Sequence, residues 1–201
     1  EQSLIPLKPW IEKMRPLRAD LRETAVRAGL QEVSTYSMIS KKQHEQTTSG
    51  SDKPIRVQNP ISEDLAVLRT SMLPSLLMTA AYNLNRSNRS VAIFEIGRTY
   101  HFNDKVYNKC REDYVLGVML CGVRQPKSWD REEQEFVFYD IQGIANLFAS
   151  RFGVDLKRLP EVDSRFTGNS HLLTMANQVV SAYGELNPEL VEGFEINQSV
   201  Y

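Results

Sequence analysis

The sequence predicts an α+β domain: an antiparallel sheet flanked by helices. Three observations carry this expectation. Stretches rich in β-branched and aromatic residues, such as 91–96 and 114–123, occur beside segments with an apolar residue every three or four positions. The two kinds do not alternate strictly, which disfavours a doubly wound parallel sheet. The chain of 201 residues is long enough to enclose one core, and it carries no internal repeat and no low-complexity tract.

The elements follow in order. Residues 1–14 read as an irregular lead-in punctuated by Pro6 and Pro9, with Leu4, Ile5, Leu7 and Trp10 laid against the body. Pro16 opens a helix with the apolar stripe Leu17, Leu21, Ala25 and Ala28, and Gly29 stops it. Gln31 to Ile39 reads as a strand. Residues 40–53 form a polar loop with nothing apolar to anchor it, and 55–58 a short strand broken at Asn59-Pro60. A helix begins at Ser71, tolerates Pro74 in its first turn and buries Leu73, Leu76, Leu77, Ala80, Ala81 and Leu84. Strand character returns at 91–96 and 99–102 around Gly97. The near-continuous apolar run 114–123 predicts a central strand. After a loop bearing Trp129, a helix spans Phe138 to Phe152 and is capped by Gly153. Gln178 to Gly184 is a strand, and Asn187-Pro188-Glu189 is a helix start with Asn as N-cap and Pro at the first helical position. Ile196 to Tyr201 approaches one more strand, which the expected core domain over 15–201 leaves truncated.

Charge narrows the function. With 24 basic and 25 acidic residues the net charge is −1, too balanced for a strongly basic nucleic-acid module. A hydrophobic content of 41% excludes an acidic disordered tail. No apolar run approaches the roughly 20 residues of a membrane helix, so no membrane partner is expected. The sequence opens without a signal-peptide pattern and without Met, which reads as an excised segment. Cys110 and Cys121 are too few for a disulfide scaffold, although a bridge across a hairpin is open to them. His44, His101 and His171 show no ligand spacing, so no metal site is expected.

No phosphate loop, dinucleotide fingerprint or nucleophile elbow is present. Individual residues therefore carry the chemistry. Glu63 and Asp64 pair in a loop, suited to acid–base work or to starting a turn. Arg69 can grip a phosphate or carboxylate, or pair with one of those acids. Glu95 lies inside an apolar strand, and a buried carboxylate needs a partner; Arg98 and Arg69 are the candidates. Asp140 caps or joins the helix beginning at 138, and His171 reads as a surface or loop residue. Asn83, Asn85, Arg86 and Asn88 form a polar helix end, open to solvent, a partner or nucleic acid.

Taken together, Asn59-Pro60-Ile61-Ser62-Glu63-Asp64, Val67-Leu68-Arg69-Thr70-Ser71-Met72-Leu73-Pro74, Asn83-Leu84-Asn85-Arg86, Phe94-Glu95-Ile96-Gly97-Arg98, Tyr139-Asp140-Ile141-Gln142-Gly143 and Gly184-Glu185-Leu186-Asn187-Pro188-Glu189 resemble one family. It is the phenylalanyl-tRNA synthetase β subunit, of bacterial type, in its catalytic-like core domain; the resemblance runs from about Pro16 to Tyr201. It implies a class II synthetase fold and no catalytic, cofactor-binding or metal residue in this segment. Catalysis then belongs to the α subunit of an (αβ)2 assembly that joins phenylalanine to tRNA-Phe. ATP and magnesium are bound elsewhere in that enzyme, which is cytoplasmic. It places the helix–strand unit 16–39 at the subunit interface, so the stripe Leu17, Leu21, Ala25 and Ala28 buries against a partner or the sheet. Asn59, Glu63, Asp64, Arg69, Glu95 and Arg98 become a polar network within the core or at an interface. The catalytic subunit is expected to carry an ATP-binding Arg where this chain has His101, and the Gly-rich third motif is absent. Departures lie at 166–170, where the family usually reads His-Pro-Gly-Arg-Ser, and at Asn187, where His is common. The rival expectation is a regulatory or ligand-binding relative of the class II fold that still takes ATP or an amino acid. Without its partner, the isolated segment is expected to self-associate through exposed apolar surface.

Overall fold

The computed structural model describes residues 9–48, 53–105, 107, 109–158, 164–175 and 178–201. Helix α1 (Pro9–Arg27) begins before the expected Pro16. Pro9 takes the first helical position, where a missing N–H is harmless. Pro16 lies exposed inside the helix, so its missing donor removes one bond without ending it. The lead-in is therefore helical from Pro9; Leu4, Ile5 and Leu7 lie outside the described residues. The helix ends as expected. Gly29 is left-handed at φ +85°, Leu30 N–H bonds the Ala25 carbonyl at 3.1 Å and Gly29 N–H bonds that of Val26 at 3.0 Å.

The expected strand 31–39 is divided. β1 (Gln31–Glu32) pairs in parallel with the long β4 (Ser90–Phe102), whereas β2 (Met38–Ile39) pairs antiparallel with β3 (Val67–Leu68). Between them Thr35 turns its N–H and hydroxyl to the Glu95 side chain instead of to a ladder. The expected polar loop holds a helix, α2 (Lys41–Thr47). Ser40 and Gln43 form a reciprocal capping box, and the buried His44 and Thr47 anchor it. Residues 49–52 of that loop lie outside the described residues. At 55–58 there is only an isolated bridge, Arg56 to Val67. Glu63 to Leu65 is a turn of 3-10 helix leading into β3.

Helix α3 (Leu73–Leu84) follows, and then the expected break at Gly97 disappears: β4 runs through it. β4 pairs antiparallel with β5 (Cys110–Gln125) without interruption from Ser90–Gly122 to Phe102–Cys110. The sheet order is β1–β4–β5–β6, with β6 (Gln134–Glu135) at the edge, so the apolar run 114–123 is central. Cys110 and Cys121 sit on this one strand, eleven residues or roughly 36 Å apart, and cannot form a bridge.

Strand alternation divides the core. Val91, Ile93, Met119 and Cys121 face α3, whose Leu76, Leu77 and Ala80 are buried against them. Phe94 and Leu120 face the other way, onto Ala25 of α1 and onto Ile141, Ala145 and Phe148 of α4 (Phe138–Phe152). Helices thus cover both faces of one sheet. Beyond α4 lies a three-stranded antiparallel sheet: β7 (Asp155–Arg158), β8 (Phe166–Met175) and β9 (Gln178–Leu186). β7 and β8 carry charged, Gly and Asn residues that mask strand character in the sequence. Asn187 caps α5 (Pro188–Glu192), accepting from Glu189 N–H at 3.0 Å. The chain then returns to the first sheet. Tyr201 and Leu120 exchange two backbone bonds, and the Val200 carbonyl accepts from Leu186 N–H at 2.8 Å, so these residues lie between β5 and β9.

One substitution should act oppositely at two glycines. Gly29→Ala must place a side chain in left-handed backbone, at a cost of about 1–2 kcal/mol. Gly143→Ala, inside α4 with open space around its Cβ, should gain roughly 0.5–1 kcal/mol. Thermal unfolding of the two variants checks both signs.

Candidate functional site

The face of β4 that looks toward α3 carries Glu95, Gly97 and Thr99 at alternate positions. Glu95 is 4% exposed. Arg69, just after β3, is 1% exposed, and its Nη2 lies 3.0 Å from Glu95 Oε1. The partner for the acid is therefore Arg69, not Arg98. Every nitrogen of the Arg69 guanidinium is engaged. Nε donates to the Arg98 carbonyl at 2.9 Å, and Nη1 donates to Thr35 Oγ1 at 2.7 Å and to Ser75 Oγ at 3.3 Å. Thr35 Oγ1 in turn donates to Glu95 Oε2 at 2.6 Å. The Arg69 backbone takes part too: its N–H bonds Ser37 and its carbonyl accepts from Tyr100 N–H, both at 2.9 Å. One residue thus joins β4, the segment between β1 and β2, and the first turn of α3.

Gly97 is part of this cradle. A Cβ there would run into Arg69 Nη2, come within 2.8 Å of Met72 Cε and within 3.0 Å of Glu95 Oε1. Thr35, Ser75 and Gly97 are the members that sequence reasoning missed. A lone Gly in a strand was the available signal, since it marks a close approach by another group.

The other expected network residues are elsewhere. Arg98 is three positions from Glu95, so its side chain leaves by the opposite face. There it pairs with Glu112 at 3.0 Å, donates to the Tyr114 hydroxyl and lies over the Tyr114 ring at 4.8 Å; the Tyr114 bond, then Glu112, raises its pKa. Asn59, Glu63 and Asp64 are exposed on the loop and the 3-10 turn and do not enter the network. The stripe on α1 faces inward: Ala25 is fully buried, and Leu21 and Ala28 pack beside it against the sheet. Of the four expected interface residues only Leu17 is exposed, at 40%; Val26, at 55%, lies on the opposite side of the helix. His101 lies opposite Arg111 on β5, with Nε2 3.8 Å from Asp113. His171 is in β8, not a loop, and packs between Phe138 and Tyr183 with ring centroids 5.6 and 5.3 Å away. Asp140 accepts from Val137 N–H at 2.8 Å at the start of α4.

The arrangement ties separate elements of the fold together. The guanidinium is walled in and already bonded by protein groups, so it offers no face to an anion. Among the described residues, no group of three or more His, Cys, Asp or Glu is placed to hold a metal ion. Burial pushes the Cys121 thiol up to about 11, with the bond from Gln198 acting weakly the other way. It is neutral at physiological pH and is no nucleophile.

Two measurements check this. Glu95→Ala strands a buried cation and should cost about 3–5 kcal/mol, lowering Tm by roughly 6–20 °C. Pairing it with Arg69→Met removes both charges and should recover part of the loss in a double-mutant cycle. The Cys121 thiol, with the phenols of Tyr183 and Tyr201, also raised by burial, holds its proton longer when folded. For Cys121 this contribution to stability is fully present below pH 9 and declines as pH rises through about 11, and the two phenols act in the same direction. Cys121→Ala should make the decline shallower in alkaline denaturation curves.

Comparison with known proteins agrees with this geometry. The profile of the family described as "Phenylalanyl tRNA synthetase beta chain CLM domain" matches residues 9–201. The phenylalanine–tRNA ligase β subunit of Geobacter metallireducens is 30% identical over 192 residues, 92% of this chain and 24% of that one. That of Thermotoga maritima is 28% identical over 193 residues, 96% of this chain and 24% of that one. The chain therefore spans about a quarter of the length of these relatives. Two structures of pyrrolysyl-tRNA synthetase from Desulfitobacterium hafniense share the fold, with TM-scores of 0.63 and 0.64 at 18% identity. They cover 94% of this chain and 65% and 66% of the solved ones. These synthetases place the architecture in class II, and the profile match shows that the chain belongs to the CLM-domain family of the phenylalanyl-tRNA synthetase β chain.

Proposed function

We propose that this segment is a non-catalytic, catalytic-like core domain. On this reading it supports assembly of the β subunit with the α subunit in an (αβ)2 enzyme, and so the aminoacylation of tRNA-Phe. The single observation that carries the reading is the saturation of Arg69. A site that held ATP or an amino acid would need convergent, uncommitted cations facing an opening; here the candidate cation is 1% exposed and bonded to Glu95, Thr35, Ser75 and a carbonyl. His101 beside Asp113 supports the same reading, because a His in an acid's field is a poor substitute for a permanently charged phosphate ligand.

In this proposal ATP and magnesium are bound elsewhere in the enzyme, which works in the cytoplasm. Leu17, the exposed member of the α1 stripe, contributes to assembly. The isolated segment self-associates through surface that the partner otherwise covers.

The test is calorimetric titration of the chain with ATP, with phenylalanine and with both, followed by purified α subunit. We expect heat only from the α subunit. Micromolar binding of ATP or phenylalanine would replace this reading with that of a ligand-binding relative of the fold.

A further inference from the structure

Two arginines share one ring on the α1 side of the sheet. Tyr114 lies opposite Arg98 in the β4–β5 ladder, and the Arg98 guanidinium carbon sits 4.8 Å from the centre of its ring. Arg18, one turn before Leu21 on α1, places its own guanidinium carbon 5.3 Å from the same centre. An aromatic face attracts each cation, but two cations held on one ring repel each other. Glu112, 3.0 Å from Arg98, balances one of the charges. The other is unbalanced. Among the described residues no acid pairs with Arg18, and its Nε is shielded from water with no acceptor. A shielded N–H in that state is rare, and it leaves this cation able to take a further bonding partner.

The surroundings narrow what that partner is. Three arginines on and beside α1 are matched by acids: Arg22 by Glu32, Arg27 by Glu23 and Arg151 by Asp20. Arg15, a turn before Arg18, is exposed to solvent. Two guanidiniums and one carboxylate at Tyr114 leave a surplus of a single positive charge. An RNA backbone calls for several unmatched cations in line. A surplus of one, presented on the planar fork of an arginine, suits one carboxylate. The side chains of Arg98 and Glu112 are 41% and 44% exposed, so the group is reached from solvent on their side.

We propose that Arg18 and Arg98, held over Tyr114, form a seat for a carboxylate. The inference stands on this chain's own residues and does not rest on the assembly reading above. The test uses the full β subunit that carries this segment, alone and with its α subunit. Phenylglyoxal modification of Arg18 is read by mass spectrometry in sodium acetate and in sodium chloride of equal ionic strength, with Arg86, stacked on Tyr82, as the control. A seat open to small carboxylates gives several-fold slower modification of Arg18 in acetate and no difference at Arg86. A seat filled by an Asp or Glu of the polypeptide gives an Arg18 that resists the reagent in both salts, in β alone or only once α is added. Arg18→Met then lowers the Tm of that species by several degrees, and the loss shrinks as salt is raised. An Arg18 that reacts equally in every condition overturns the seat. So does a shielded Arg18 whose replacement by Met leaves Tm unchanged, or lowers it equally at every salt concentration, which is packing on Tyr114 alone. Protection by tRNA-Phe only also overturns the seat and assigns Arg18 to RNA phosphate.

Discussion

The Arg69–Glu95 ion pair is the constraint on which the rest of the fold depends. Taking two charges out of water is unfavourable by several kcal/mol per ion, and only good geometry with further hydrogen bonds offsets it. Here the offset is supplied by Thr35, Ser75 and the Arg98 carbonyl, which belong to separate elements. The pair is stable only if those elements are in place. It therefore makes the chain between β1 and β2, the strand β4 and the start of α3 mutually dependent. Gly97 is the steric condition for the same arrangement, since any side chain there would displace the guanidinium.

Around that point the sheet sorts its neighbours by alternation. β4 and β5 send successive side chains to α3 on one face and to α1 and α4 on the other. Because the helices are spent on covering the sheet, the inward stripe of α1 is structural, and the surfaces left for recognition are the outer sides of helices and the connecting loops. On the proposed reading the interior is closed by side chains and the exterior serves assembly.

Much was legible in local sequence. The helices at 73–84 and 138–152, the N-cap at Asn187 and the terminator at Gly29 are set by neighbours within a turn or two, so periodicity and capping chemistry suffice. Less was legible where local composition and final state disagree. Residues 40–47 look like a polar loop, yet a capping box and two buried side chains make them helical. β7 and β8 are strands because they pair with each other and β8 with β9, not because their residues favour extension.

For the candidate site the division is sharper. The sequence by itself determined that Glu95 required a partner, because a carboxylate within an apolar strand must be compensated, and it determined the family through ordered motif blocks. Only the tertiary structure decided which arginine answers. Arg98 is nearer in sequence but a strand sends it to the other face; Arg69 is distant in sequence and arrives through the turn after β3. Pairing between remote residues is fixed by which faces the folded chain brings together, and no local pattern encodes that.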